Sequence, residues 1–214
     1  QAVFDVHASV GSVSYENCIA ISTHGIHAGF ALYGRKNKIL NCKTYNCTAG
    51  YQMSDANVTS DYLIIDGLEV FHPSPNASIY GVYIDAGKIN HLYINNLVSH
   101  AKLGAIRIND RIEDWKFSNI RNYNGYLLQM HTTVTGGMVP ELLQLDNCIT
   151  ELPAPDSTYL HIYLSDTAVK HVRLNNVRQK NSRHLFRSLN TISTFEAINC
   201  YSDTPVNEHI LFSS

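Results

Sequence analysis

The feature that most constrains this chain is a phased repeat: a short alternating strand, an asparagine, and a second short strand. The anchoring position is Asn17, Asn41, Gly67, Asn96, Asn119, Asn147, Asn176 and Asn199, with successive anchors 23 to 29 residues apart. Two positions before each anchor stand Tyr15, Ile39, Ile65, Ile94, Phe117, Leu145, Leu174 and Ala197. Immediately after it come Cys18, Cys42, Leu68, Leu97, Ile120, Cys148, Val177 and Cys200. Self-similarity at such a period marks a solenoid, in which each repeat buries its apolar side against the next. Asparagine suits the corner because it tolerates left-handed backbone angles, as glycine does at Gly67. Amides stacked in register can also hydrogen-bond along the stack. A hairpin sandwich would have no reason to repeat strand, asparagine and strand in phase.

Lys88–Asp110 shows one complete turn. Leu92 and Ile94 alternate with Tyr93, the period-two pattern of a half-buried strand. Asn95-Asn96 breaks it, Leu97-Val98-Ser99 starts a second strand, and a polar corner leads through Gly104 to a third, Ile106-Arg107-Ile108-Asn109. Three short strands and three corners in so few residues leave no room for a helix. The expected fold is all-β, a single-stranded parallel β-helix of about eight rungs, filling residues 1–214 as one domain. Three loops interrupt the regular turns: Phe71–Ile79, Thr132–Pro140 and Glu151–Tyr159. They are expected on one corner, where long insertions in a tight architecture tend to carry function. Solenoid ends need capping, and neither end of this sequence shows a cap motif, so the chain is expected to be a segment of a longer protein.

Composition narrows the partners. Only 16% of the 214 residues are charged, the formal net charge is −2, and no stretch is basic enough to track a phosphate backbone. No nucleic acid is expected, and no apolar run is long enough for membrane insertion. Four of five cysteines share the inward ladder position. Cys148 and Cys200 are separated by a whole rung and lie too far apart to bridge, while Cys18 and Cys42 need no bridge to explain them. All four are read as small buried hydrophobes of a protein assembled in a reducing cell. Asn46, Asn57 and Asn76 head glycosylation-type triplets that arise by chance in so Asn- and Ser-rich a sequence. His24-Gly25-Ile26-His27 lacks a third ligand at matching spacing, so no metal and no cofactor is expected.

The repeated rung, as in YINNLVS, FSNIRN, LDNCIT and LNNVRQ, resembles the pectin-lyase-like right-handed parallel β-helix superfamily across nearly the whole chain. The missing caps and inward cysteines look more like bacteriophage tailspikes and appendages than secreted wall-degrading enzymes. What this resemblance implies is a right-handed coil and a carbohydrate-binding or carbohydrate-cleaving role. It also implies a homotrimer carried on the virion, in the tail or an appendage, after assembly in the host cytoplasm. Those are fold-level analogies. The motif set of polygalacturonases is not met: Thr23-His24-Gly25 and Arg107-Ile108-Asn109 are faint echoes without the carboxylate motifs between them. No catalytic residue is therefore carried over.

Site chemistry must come from outward side chains. On the third strands, Tyr83, Arg107, Gln129 and Tyr163 stand between inward residues and are expected one above another, about 4.8 Å apart. Just past them come Asp85, Asn109-Asp110, His131 and Ser165-Asp166. Tyrosine rings stack on sugars, and carboxylates, amides and Arg reach hydroxyls and uronic carboxylates, so the column suits an extended oligosaccharide. Substrate-binding candidates are Tyr83, Arg107, Gln129, His131 and Tyr163. Hydrolysis would need two carboxylates, for which Asp85 and Asp110 are the pair and Asp166 the reserve. β-Elimination would instead use Arg107 or His131 to handle the proton. Trp115 falls on the inward row and is expected in the core. The outward apolar residues Ile19, Ile64, Val98 and Ile149, beside Arg121 and Arg178, form a candidate trimer face. Three functions stand open: a tailspike-like binder and depolymerase of a bacterial surface polysaccharide, a non-catalytic structural shaft of a virion appendage, and a secreted cellular lyase or hydrolase of the same fold.

Overall fold

Every one of the eight anchors has a positive φ, 51° to 55° at the asparagines and 75° at Gly67, in a computed structural model of the chain. The structure describes residues 2–6, 11–71, 80–110, 112–131, 141–153, 161–165, 169–181, 184–203 and 210–212. Each anchor turns the chain from one face of a solenoid onto the next. The first face is built from Ser12–Glu16, Lys36–Leu40, residues 59–66 and 88–95, Ile112–Ser118, Leu142–Asp146, Val169–Asn175 and Ile192–Ile198. After the anchor comes the second face, an eight-stranded sheet of Ile19–Ile21, Lys43–Tyr45, Glu69–Phe71, Val98–Ser99, Arg121–Asn122, Ile149–Glu151, Arg178–Lys180 and Tyr201–Asp203. The third face consists of Ala2–Val6, Ala28–Leu32, residues 49–53 and 80–84, Gly104–Ile108, Tyr126–Met130, Ile162–Leu164, Phe186–Ser188 and Ile210–Phe212. Neighbouring strands pair in parallel throughout, and the described residues contain no helix. The fold is a parallel β-solenoid.

Two turns depart from three separate strands. Ala49–Asp66 and Tyr80–Asn95 run from the third face into the next first face without a break, the former through register shifts at Met53/Ser54 and Ser54/Thr59. They join the first and third faces into one fifteen-stranded sheet that bends around the corner. Asp110 braces this bend, because its Oδ2 accepts the Gly87 backbone N–H at 2.8 Å.

The core is a stack of inward columns. Ile39, Ile65, Ile94, Phe117, Leu145 and Leu174 are fully buried on the first face, and Val82, Ile84, Ile106, Ile108, Leu128, Met130, Ile162 and Leu164 are buried on the third. Trp115 is 3% exposed, in register with Leu92, and its indole N–H donates to the Leu142 carbonyl. All five cysteines are free. Cys42, Cys47 and Cys148 are buried, and Cys18 and Cys200 partly so. On the second face the inward column is largely polar: Thr44, Ser99, Asn122, Thr150 and Gln179 are each at most 1% exposed. Two of them serve the tight corner that follows. Asn122 Nδ2 donates to the carbonyls of Gly125 and Tyr126, and Ser99 Oγ donates to that of Gly104.

Two expectations need correction. Phe71–Ile79 and Glu151–Tyr159 begin where the second face ends, whereas Thr132–Pro140 leaves the third face for the first, so the three loops do not share a corner. Ile64 pairs with Lys38 and Tyr93 on the first face. Ile19, Val98 and Ile149 instead lie in one column of the second face with Lys43, Glu69 and Arg121. Ile64 precedes its anchor by three residues while the others follow theirs by two, and strand parity hides that change of face. No single trimer face unites the four.

Candidate functional site

The outward column of the third face is in register over six rungs: Gln52, Tyr83, Arg107, Gln129, Tyr163 and Arg187. Alternation along each strand puts them outside, since the residues on either side point into the core. The column brings together all four of the outward residues read from the sequence and adds Gln52 and Arg187.

Its lower half is a bonded cluster. The Arg107 guanidinium lies 5.4 Å from the Tyr80 ring centre and 5.7 Å from that of Tyr83, within cation–π range. Its Nε donates to Asn109 Oδ1 at 3.0 Å and one terminal nitrogen to the Tyr80 hydroxyl at 3.3 Å. Tyr80 is only 2% exposed and donates to Gln129 Oε1 at 2.5 Å. That bond holds Gln129 down, and at 8% exposure it presents little to a ligand. Tyr83 donates to Asp85 Oδ1 at 2.6 Å. Burial, then that bond, push its phenol up to about 12, so it stays a donor at ordinary pH.

The two carboxylates of the candidate pair have different situations. Asp85 is exposed and accepts from Tyr83 and, at 2.9 Å, from Asn109 Nδ2. Asp110 is half-buried, and one oxygen is committed to the Gly87 backbone. Of the pair, Asp85 is the one displayed to solvent. Asp166 lies outside the described residues, as do residues 72–79, 132–140 and 154–159 of the three loops.

The upper half gathers Tyr126, His131, Tyr163, Ser165 and Arg187. Arg187 stands 5.9 Å from the Tyr163 ring centre, His131 meets that ring edge-on at 5.7 Å, and Tyr126 stacks on it at 6.3 Å. His131 Nδ1 is 2.6 Å from Ser165 Oγ, whose hydroxyl donates to the Met130 carbonyl. The histidine is thus fixed at the edge of the tyrosine ring. Gln52, Tyr80, Tyr126 and Arg187 are the members that sequence reasoning missed, and Tyr80 and Tyr126 flank Gly104 in register at the start of their strands.

A second aromatic array escaped the sequence reading. Tyr45, Phe71, His100 and Tyr123 form a continuous ladder on the second face, with ring centres 5.1, 5.0 and 4.5 Å apart and planes within 13° of parallel. Burial within the ladder lowers the basicity of His100, against a smaller opposing effect of Glu69. The signal was present: an aromatic residue four positions after the anchor in four consecutive repeats. Among the described residues no three His, Cys, Asp or Glu side chains gather as a metal site.

Compared with known proteins, the chain matches no family model, no curated protein and no solved structure.

Proposed function

We propose that the third face binds an extended bacterial surface polysaccharide, and that the chain is the solenoid part of a tailspike-like virion appendage. The observation that carries this is the in-register outward column, where rings and guanidinium groups repeat at the spacing of the rungs. A rigid sheet holds these groups in place, so a sugar chain lying along the axis meets them without ordering the protein first. Tyr83 and Tyr163 offer ring edges and hydroxyls, Arg107 and Arg187 offer fixed donors for hydroxyls or uronic carboxylates, and His131 offers a further polar contact. The homotrimer and the attachment to host cells are part of the same proposal and rest on the resemblance of the repeated rung.

Depolymerisation belongs to the proposal through Asp85 and Asp110. A hydrolase needs one carboxyl as acid and another as base or nucleophile, separated by about 5–5.5 Å for retention or about 6.5–9.5 Å for inversion. Asp85 supplies a displayed carboxylate, and Asp110 stands on the neighbouring rung at the same corner. A second reading, a non-catalytic shaft, is favoured by the way the column's groups bond to one another: Tyr80 to Gln129, Tyr83 and Asn109 to Asp85, and His131 to Ser165.

The test uses purified capsular or lipopolysaccharide from candidate hosts, with binding and reducing-end release measured side by side. Arg107→Gln with Tyr163→Ala should weaken binding at least tenfold while the far-ultraviolet spectrum stays that of the parent. Asp85→Asn with Asp110→Asn should leave binding and abolish release. Release that survives both aspartate changes would move the chemistry off this face. Wild-type protein that neither binds nor cleaves any host glycan would favour the shaft.

A further inference from the structure

The second face carries three adjoining hollows that the third-face column does not explain. One is bounded by Asn96, Val98, Asn119, Arg121, Asn147 and Ile149. The next shares Arg121 and Ile149 and adds Tyr123 and Glu151. The last shares Tyr123 and Glu151 and runs on to Asn124, Lys180 and Asn181. Because each shares residues with its neighbour, they form one continuous strip across the face, from the asparagine ladder to the far corner.

Arg121 lines two of the three hollows and is the cation they share. It is exposed, and among the described residues no hydrogen bond or ion pair engages its guanidinium. Its neighbours in the column are Val98 below and Ile149 above, and the carboxylate that shares its hollow, Glu151, forms no ion pair with it. Some exposed cations are paired, as Lys43 is with Glu69 and Lys170 with Glu141, whereas among the described residues Arg121, like Lys36 and Lys116, is not. A guanidinium is a rigid fork that matches a carboxylate with two parallel hydrogen bonds.

We propose that this strip is a second binding site, separate from the third face, for an acidic sugar unit whose carboxylate is held by Arg121. The remaining groups fit the rest of such a ligand. Val98 and Ile149 offer aliphatic surface to the C–H face of a pyranose. The side-chain amides of Asn96, Asn119 and Asn147 stand along one side to exchange hydrogen bonds with hydroxyls, and Glu151 accepts hydroxyl protons on the other. Arg121 and Lys180 against Glu151 leave one net positive charge among the lining groups, which attracts an anionic sugar. The ladder asparagines are already fixed by bonds to one another, Asn147 to Asn119 and Asn176 to Asn147, so the wall of the hollow is preorganised. The site stands independently of the third-face proposal, since the two faces share no residue.

The experiment is titration of isotope-labelled protein with a glucuronate-containing trisaccharide and, separately, with its carboxyl-reduced counterpart, followed by amide and methyl shifts. The acidic sugar should shift Val98, Arg121, Tyr123 and Ile149 saturably, and the reduced sugar should bind there at least tenfold more weakly. Arg121→Gln, an exposed change that spares the core, should lose at least tenfold in affinity at this footprint. Arg107→Gln should leave the footprint untouched while weakening any third-face binding, so failure of one site is distinguishable from failure of the other. Unchanged affinity in Arg121→Gln would overturn the proposal. So would equal binding of the two sugars, absence of saturable shifts at these residues, or shifts there that follow protein concentration and self-association rather than sugar.

Discussion

At Asn147 two demands meet in one side chain. Its φ of 55° is left-handed, and its amide donates to Asn119 Oδ1 while its oxygen accepts from Asn176 Nδ2 at 2.8 Å. Replacing it with Ala should lower stability by about 2 kcal/mol, roughly half from the backbone angle and half from the lost bonds, whereas Gly should lose only the second part. Urea unfolding of the two variants checks this, and equal losses would remove the backbone share. Gly67 is the exception that the same ladder explains. A Cβ there would meet Asn41 Oδ1 at 2.6 Å, so the asparagine below fills the space an asparagine at 67 would need. His161 adds a pH dependence. It is fully buried, neither ring nitrogen has a hydrogen-bond partner among the described residues, and burial pushes its pKa from 6.5 down to about 3. Below pH 6.5 the unfolded chain takes up a proton that the folded chain refuses, so this contribution is complete above that pH and is lost as pH falls. Going from neutral pH to one unit below the unfolded value should cost about 1.4 kcal/mol, and His161→Leu should remove that slope in unfolding curves. Cys148, whose thiol burial raises to about 12, should react with a thiol reagent only after denaturation, as should buried Cys42 and Cys47.

At the scale of elements, the short strands do more than alternate. Second-face strands of two or three residues put polar side chains inside, where Ser99 and Asn122 satisfy the carbonyls of the next corner. Period-two reasoning expects apolar residues there and so gives no warning of them. The corner demands them because its carbonyls face inward, away from water. Gly104 opens the third-face strand at a φ of 149°, between Tyr80 and Tyr126, and a Cβ would lie 2.3 Å from the Tyr126 carbonyl oxygen. Gly104→Ala should therefore destabilise by about 2 kcal/mol or more, because the clash is with backbone that cannot move aside. It should also separate Tyr80 from Arg107, and near-ultraviolet circular dichroism with thermal melts would register both effects. The candidate site was legible as a column because parity along each strand is local. Its internal bonds were not: that Gln129 is claimed by Tyr80 and Asp110 by Gly87 depends on neighbours 49 and 23 residues away.

Over the whole molecule, burial follows position along the axis. Inward residues of the central turns, such as Ile94, Phe117 and Leu145, are fully buried, whereas Val13, Tyr15, Ile192, Phe195 and Cys200 are only partly so. Since each turn is supported only by its neighbours, native-state hydrogen exchange should be slowest at the amides of the central turns and faster at both outer turns. Uniform protection along the axis would instead mean that the solenoid opens only as one unit. The sequence by itself determined the repeat, the corners and the inward rows, since left-handed asparagines and two-residue alternation are properties of a few adjacent residues. It also carried the anchor-plus-four aromatics that stack as a ladder. Only the tertiary structure decided which face each outward residue joins, as Ile64 and the three loops show, because a face is set by the cumulative count of residues around each turn. It likewise decided which polar groups are already spent on the protein and which, like the Arg121 guanidinium, still point at solvent. Stacking turns brings residues one rung apart in space from more than twenty positions apart in sequence, and no local pattern encodes that meeting.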